Sequence, residues 1–230
     1  MAVLTPMMQQ YLDIKEQYKD CVLFFRLGDF YEMFFSDAET ASRELEITLT
    51  GRDCGLDERA PMCGVPFHSA DTYISRLINK GYKVAICEQV EDPALAKGLV
   101  RRDVVRVVTP GTVTEASMLD EKKNNYLMSV YKVKDFFGAA FVDLSTGDFT
   151  STSIAFGNTT CKLIDEIAKY SPSEIIVNSE FFEDQCLIET VRKRFNAYIS
   201  RVDDACFTQE FASDKVKSYF QHVEIDENAF

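Results

Sequence analysis

The Pro110-Gly111 pair is the feature that most limits how this chain can fold. Proline fixes φ and glycine frees it, so together they interrupt regular structure and mark a seam. The stretch that follows, TVTEASMLDEKKNNY, is polar and lacks clear periodicity. It reads as a linker at 111–124 between a first domain at 1–110 and a second at 125–230. A length of 230 residues suits two small domains.

The first segment alternates helix and strand signals. Thr5 ahead of Pro6 is an N-cap and first-turn pair, and Met8, Tyr11, Leu12, Lys15 and Tyr18 follow with helical spacing. Cys21–Leu27 (CVLFFRL) is a short apolar run bounded by Asp20 and Gly28, the pattern of a buried strand. The sequence then predicts a helix over Tyr31–Glu46, a strand end over Ile47–Thr50, and an irregular loop over Pro61–Pro66. Ser69 is placed to cap a helix with Tyr73, Ile74, Leu77 and Ile78 inward and Gly81 at its end. Tyr82–Cys87 and Val104–Thr109 read as strands, and Asp92-Pro93 as the start of a helical turn closed by Gly98. This is a small mixed α/β unit.

The second segment opens with strand-like Tyr126–Lys132 and Gly138–Asp143, joined around Phe136–Phe137. The turn Ser145-Thr-Gly-Asp148 leads into Phe149–Ile154. An amphipathic helix through Cys161, Leu163, Ile164, Ile167, Ala168 and Tyr170 precedes a strand at Glu174–Val177. Three meandering strands, then helix and strand, is the opening order of a ribonuclease-H-like domain.

Composition narrows function mainly by exclusion. No window approaches the roughly 18 apolar residues of a membrane span, and MAVLTPMMQQ has no basic-then-apolar signal pattern. Seven Cys without a CxxC pair, and two His, argue against a disulfide framework or a zinc site and suit a reducing cytoplasm. A net charge of −12 argues against a strongly basic nucleic-acid coat. The charge is uneven, however: net −4 over 1–110 and −8 over 111–230. Lys97, Arg101, Arg102 and Arg106 form a locally basic strip, and strand alternation from 103 would put Arg102 and Arg106 on one face.

Gly28-Asp29-Phe30-Tyr31-Glu32-Met33-Phe34 supports two readings. In one, Asp29 caps a helix, Glu32 is its capping-box partner, and Phe30 and Phe34 form an i, i+4 core pair. In the other, an exposed Phe wedges into a base stack and Glu32 meets a base edge. Such a wedge senses instability, because unstacking costs least at a mispaired or unpaired base. Arg52 suits phosphate through its planar guanidinium, or is an ordinary solvated side chain. Cys54 and Cys63 read as thiols without a metal, and His68 as a local structural histidine.

Ordered motifs along residues 5–125 resemble the N-terminal part of the bacterial MutS mismatch-repair family. They are Thr5-Pro-Met-Met-Gln-Gln-Tyr11, Phe25-Arg-Leu-Gly-Asp-Phe-Tyr-Glu-Met-Phe34, Leu49-Thr-Gly-Arg52, Pro61-Met-Cys-Gly-Val-Pro-Phe-His68, Val84-Ala-Ile-Cys-Glu-Gln89 and Val107-Val-Thr-Pro-Gly-Thr112. Residues 126–230 resemble the family's connector domain, with weaker motif identity. The resemblance implies an α/β mismatch-recognition domain followed by a ribonuclease-H-like connector. It implies that Phe30 stacks on a mispaired base from the minor groove, that Glu32 hydrogen-bonds to it, and that Tyr31 faces inward. Met33, Arg52, Met62, Lys97 and Arg101 match or lie near family positions close to DNA. The implied partners are mismatched double-stranded DNA, MutL, and a second subunit held through later domains.

No GxxxxGK[ST] phosphate loop is present. In the family, ATP and Mg²⁺ belong to a later domain. The expectation is a fragment that stops before the connector finishes, without its own cofactor or ATP hydrolysis. A rival reading is a metal-dependent nuclease of ribonuclease-H type, built on Asp143 with Asp148, Asp165 and Glu166.

Overall fold

A computed structural model describes residues 4–91, 98–120, 122–195 and 197–220. The chain divides into two compact units, Met1–Leu119 and Asp120–Phe230.

In the first unit, α1 (Pro6–Gln17) begins where the Thr5 hydroxyl accepts from the Met8 N–H, with Pro6 in the first turn. Then come β1 (Cys21–Leu27), β2 (Phe30–Phe34), α2 (Phe35–Leu45), β3 (Thr50–Arg52), β4 (Ala60–Pro66), α3 (Ala70–Asn79), β5 (Lys83–Gln89) and β6 (Arg102–Val108). A short 3₁₀ turn, Phe67–Ser69, joins β4 to α3. The sheet runs β3-β4-β2-β1-β5-β6. All pairings are antiparallel except β1 with β5.

Each face of this sheet has its own core, because strand side chains alternate. On one face Val22, Phe24, Tyr31, Met33, Cys63 and Val65 pack with residues of α2 and α3. On the other, Met8, Tyr11 and Ile14 of α1 pack with Leu23, Phe25, Phe34, Ala60 and Cys87. Cys54 and Cys63 therefore belong to opposite faces and make no pair. Burial pushes the Cys63 thiol up to about 12.

Several expectations need correction. Residues 30–34 form a strand rather than the first turns of a helix, and the helix starts at Phe35. Asp29 and Glu32 thus make no capping box. The expected loop at Pro61–Pro66 is strand β4. Proline is tolerated there because β3 pairs only with Ala60–Met62 and β2 only with Met62–Pro66. Each proline has a ladder partner on one side alone. Ser69 precedes α3 but makes no side-chain cap; its hydroxyl donates back to the Pro66 carbonyl at 3.2 Å. Arg102 and Arg106 do not share a face, because the register with β5 shifts between Ile86 and Cys87, leaving Val105 unopposed. The irregularity breaks the alternation on which that expectation rested. The expected linker also starts too early: Val113 is buried in the first core, and Met118 and Leu119 pack against it. Asp92-Pro93 lies outside the described residues.

The second unit contains β7 (Tyr126–Val133), β8 (Phe136–Asp143), β9 (Asp148–Ile154), α4 (Thr159–Tyr170), β10 (Glu174–Val177), α5 (Ser179–Glu183), α6 (Gln185–Arg194), β11 (Tyr198–Arg201) and α7 (Gln209–Tyr219). Its sheet runs β11-β10-β7-β8-β9. The three meander strands are antiparallel, and β10 and β11 add in parallel. This is the order expected of a ribonuclease-H-like domain. Apolar residues of α4, α5 and α6 close its core over Met128, Val130, Phe137 and Phe141. Where β10 ends, the Asn178 side chain extends the ladder. Its amide donates to the Lys132 carbonyl at 2.8 Å and accepts from the Lys132 N–H at 3.0 Å.

Asp143 closes the β8–β9 turn. One carboxylate oxygen accepts from the Ser145 N–H at 2.8 Å and the Ser145 hydroxyl at 2.6 Å; the other accepts from the Asn125 N–H at 3.1 Å. Burial works against the charged form, yet these donors outweigh it and hold the carboxyl below its ordinary range. A depressed folded-state pKa stabilises the fold above the unfolded value, and this is lost as pH falls through the folded one. Asp143→Ala is expected to destabilise the second unit by about 1–3 kcal/mol at neutral pH, since the part-buried Asn125 and Ser145 N–H groups lose their acceptor. Urea unfolding at neutral and acid pH checks this: the gap between wild type and variant should narrow in acid.

Candidate functional site

Leu27 and Phe30 pair across a two-residue turn, Gly28-Asp29. Gly28 has φ +57° and Asp29 is not in the left-handed region, which fits a hairpin turn with glycine first. Phe30 follows at once and is 46% exposed, high for a large apolar side chain. Its strand partners are Leu27 on β1 and Pro66 on β4. Alternation then turns Tyr31 inward, at 7% exposure, and brings Glu32 back to the face of Phe30.

Glu32 lies between Phe25 of β1 and Gly64 of β4. A Cβ on Gly64 would lie 3.4 Å from the Glu32 Cγ and 3.3 Å from the Tyr31 carbonyl oxygen, so glycine leaves the space in which Glu32 lies. The Glu32 carboxylate accepts from the guanidinium of Arg52, across the intervening strand β4. Met62 is half-buried and packs on the same face, in register with Phe34. Phe30, Glu32, Arg52 and Met62 are thus brought together on one face.

Other expected site residues are not. Met33 is fully buried against α2 and α3 and offers no contact surface; strand alternation points it away from Glu32. Arg101 is exposed just ahead of β6, which is the sheet's edge strand at the end away from β3. Its backbone N–H donates to a Glu91 carboxylate oxygen at 2.6 Å. Lys97 lies outside the described residues. Arg102 of the basic strip is buried, donating to the Arg26 carbonyl at 2.7 Å and to the Gln10 side chain at 3.0 Å. Arg106 pairs with Glu115. The strip is therefore partly internal structure.

Sequence reasoning missed what stiffens the hairpin. Arg26 donates to the Gly28 carbonyl at 2.6 Å and lies over the Phe67 ring at 3.8 Å. Phe67 in turn donates its N–H to the Asp29 carbonyl at 2.9 Å. Tyr31 donates its hydroxyl to Glu88, and burial followed by that carboxylate raises the phenol's pKa. Apart from the local Arg26–Gly28 bond these partners are distant in sequence, and no local pattern marks them. A second missed feature is the Tyr11–Asp37–Lys15 cluster. Asp37 accepts from the Tyr11 hydroxyl at 2.9 Å and the Leu23 N–H at 3.0 Å, and pairs with Lys15 at 2.9 Å.

The carboxylates of the rival nuclease reading do not converge. Asp143 is taken up by its turn, and Asp148 accepts from the Tyr126 hydroxyl at 2.7 Å. Glu166 pairs with Lys169 at 3.3 Å. Among the described residues, no group of three or more His, Cys, Asp or Glu side chains is placed to share a metal ion. Among the same residues, no helix is long and apolar enough to cross a membrane.

Two mixed-sheet α/β units in series, the first presenting an aromatic ring and a carboxylate on one face of its sheet, define a two-domain α/β protein. Residues 5–117 match the family model for MutS domain I and residues 125–230 that for MutS domain II, so the chain belongs to the MutS family. It is 73% identical over 230 residues to the DNA mismatch repair protein MutS of Acetivibrio thermocellus, covering 100% of this chain and 26% of that protein. Against the MutS of Ruminiclostridium cellulolyticum it is 70% identical over 221 residues, 96% of this chain and 25% of that protein. The MutS of Alkaliphilus oremlandii is 55% identical over 232 residues, with 100% and 26% covered. The chain thus spans about a quarter of the length of these curated relatives.

Proposed function

We propose that this chain recognises mispaired sites in duplex DNA for mismatch repair, with Phe30 as the wedge and Glu32 as the group that bonds to the displaced base. The observation that carries the reading is the exposed Phe30 ring with the Glu32 carboxylate two residues on, on the same face of a strand held on both sides. An apolar wedge in the minor groove is opposed by the stacking it breaks, a cost of a few kcal/mol that is least at a mispair. Met62, on the same face but in register with Phe34, would lie towards the DNA further along the strand from the wedge, and Arg52 and Arg101 would meet phosphates, as Lys97 would. The relatives' name, DNA mismatch repair protein MutS, supports the same reading.

The proposal extends by family resemblance to the second unit. It would contact MutL and relay to a nucleotide-binding part, where ATP and Mg²⁺ are used and a homodimer forms. The setting would be the cytoplasm.

Glu32→Gln tests the carboxylate. It keeps a hydrogen-bonding group and removes a negative charge close to phosphates. Affinity for matched duplex should be equal or greater, and the preference for a G·T-mispaired duplex weaker, measured by fluorescence anisotropy on the full-length protein. An unchanged preference would show that the carboxylate does not read the base.

A further inference from the structure

The Glu32 carboxylate is not a free acceptor in this structure. Arg52 holds it, and the pair reaches over β4 from β3 to β2. The Glu32 side chain is 16% exposed and the Arg52 side chain 41%, so the cation is the more accessible member. Gly64 provides the space in which the carboxylate lies. Phe25 and Gly64, its two strand neighbours, bring no competing charge.

A carboxylate held this way can bond to a base only by sharing or leaving its guanidinium. A guanidinium in turn binds phosphate as readily as carboxylate, through the same planar fork. We propose that Arg52 determines mismatch specificity by exchange: it holds Glu32 in the absence of DNA, meets a backbone phosphate on any duplex with the donors that the carboxylate leaves free, and releases Glu32 only where a displaced base claims it. This rests on the reading of Phe30 and Glu32 given above and adds a competitor to it. On intact duplex, where no base is displaced, Glu32 gains nothing by leaving Arg52. On mispaired duplex, the base bond must first outcompete the ion pair. Arg52 therefore lowers the discrimination that Glu32 could provide alone, while strengthening binding to every duplex through its phosphate contact.

The two effects separate in a double-mutant cycle on the full-length protein, using matched and G·T-mispaired duplexes over a range of salt. The variants are Glu32→Gln, Arg52→Gln and the double substitution. Arg52→Gln should weaken binding to both duplexes and reduce the slope of log affinity against log salt by about one, the signature of one lost phosphate contact. It should also raise the mispaired-to-matched affinity ratio, by about twofold to fivefold for a partly exposed ion pair. In the Glu32→Gln background the same Arg52 substitution should leave that ratio unchanged. An Arg52→Gln variant with an unaltered or lower ratio, an unaltered salt slope, or the same ratio change in both backgrounds would overturn the exchange. If Glu32→Gln alone leaves the ratio at the wild-type value, the failure lies instead in the reading of Glu32 as the base-bonding group. Arg52→Lys provides a check on geometry. It should keep the salt slope and, lacking the planar fork, hold Glu32 less firmly and give a ratio between those of wild type and Arg52→Gln.

Discussion

Phe30→Ala is expected to remove the preference for mispaired over matched duplex while leaving the fold intact. An aromatic ring stacked on a base contributes about 1–3 kcal/mol, which corresponds to roughly 5-fold to 150-fold in affinity. That contribution is made only where a base can be displaced, so its loss falls on the mispaired duplex. Affinity for matched duplex should change little. Phe30 lies outside both cores of the first unit and is half exposed, so truncation should cost less than about 1 kcal/mol of stability. Anisotropy titrations with both duplexes, alongside urea unfolding of the variant, make the comparison. A variant that folds normally and keeps its mispair preference would remove Phe30 from the site.

The largest expected effect on stability belongs to Asp37→Ala. Lys15 is only 18% exposed in its pair with Asp37, and it also donates to the Cys21 carbonyl at 2.5 Å. Removing the carboxylate leaves that ammonium, the Tyr11 hydroxyl and the Leu23 N–H without their shared acceptor. Breaking a buried pair from one side costs about 3–5 kcal/mol. Burial, then the charge of Asp37, hold Tyr11 well above its ordinary pKa, so it remains a donor throughout the range of folding experiments. The cluster also has a positional role. The β1–β2 ladder ends at Phe25↔Glu32, beyond which β2 leaves for α2 through Phe35, whose φ is +52°. Asp37 takes the Leu23 N–H just where β2 has departed. Asp37→Ala should therefore lower the first unit's urea midpoint sharply, and Asp37→Asn less. A loss below about 1 kcal/mol would mean that the cluster is dispensable.

The sequence carried the helices and strands whose signals are local. Thr5-Pro6 starts α1, the apolar run Cys21–Leu27 is β1, and Ile74, Leu77 and Ile78 line the inner face of α3. The site was half legible. Phe30 and Glu32 stand out by motif, but residues 30–34 satisfy a helical and an alternating pattern alike, and a five-residue segment is too short to arbitrate between them. The strand becomes evident only with β1 and β4 on either side. Reading it as a strand sends Met33 to the core and joins Glu32 to Arg52. Arg102 misled for a related reason: in sequence it is one of four cations, and only the fold shows its head buried against backbone carbonyls. Asp37 carried no signal, since an acidic residue in a helix's first turn is ordinary on a solvated surface.

The two-residue turn at Gly28-Asp29 has a mechanical consequence. Force applied to the Phe30 ring has no slack loop in which to dissipate. It passes through paired backbone on both sides, to β1 and β4, and so into a six-stranded sheet. Lengthening the turn by a few flexible residues would keep every side chain of the site and still blunt it, because a compliant tip bends before a base stack yields.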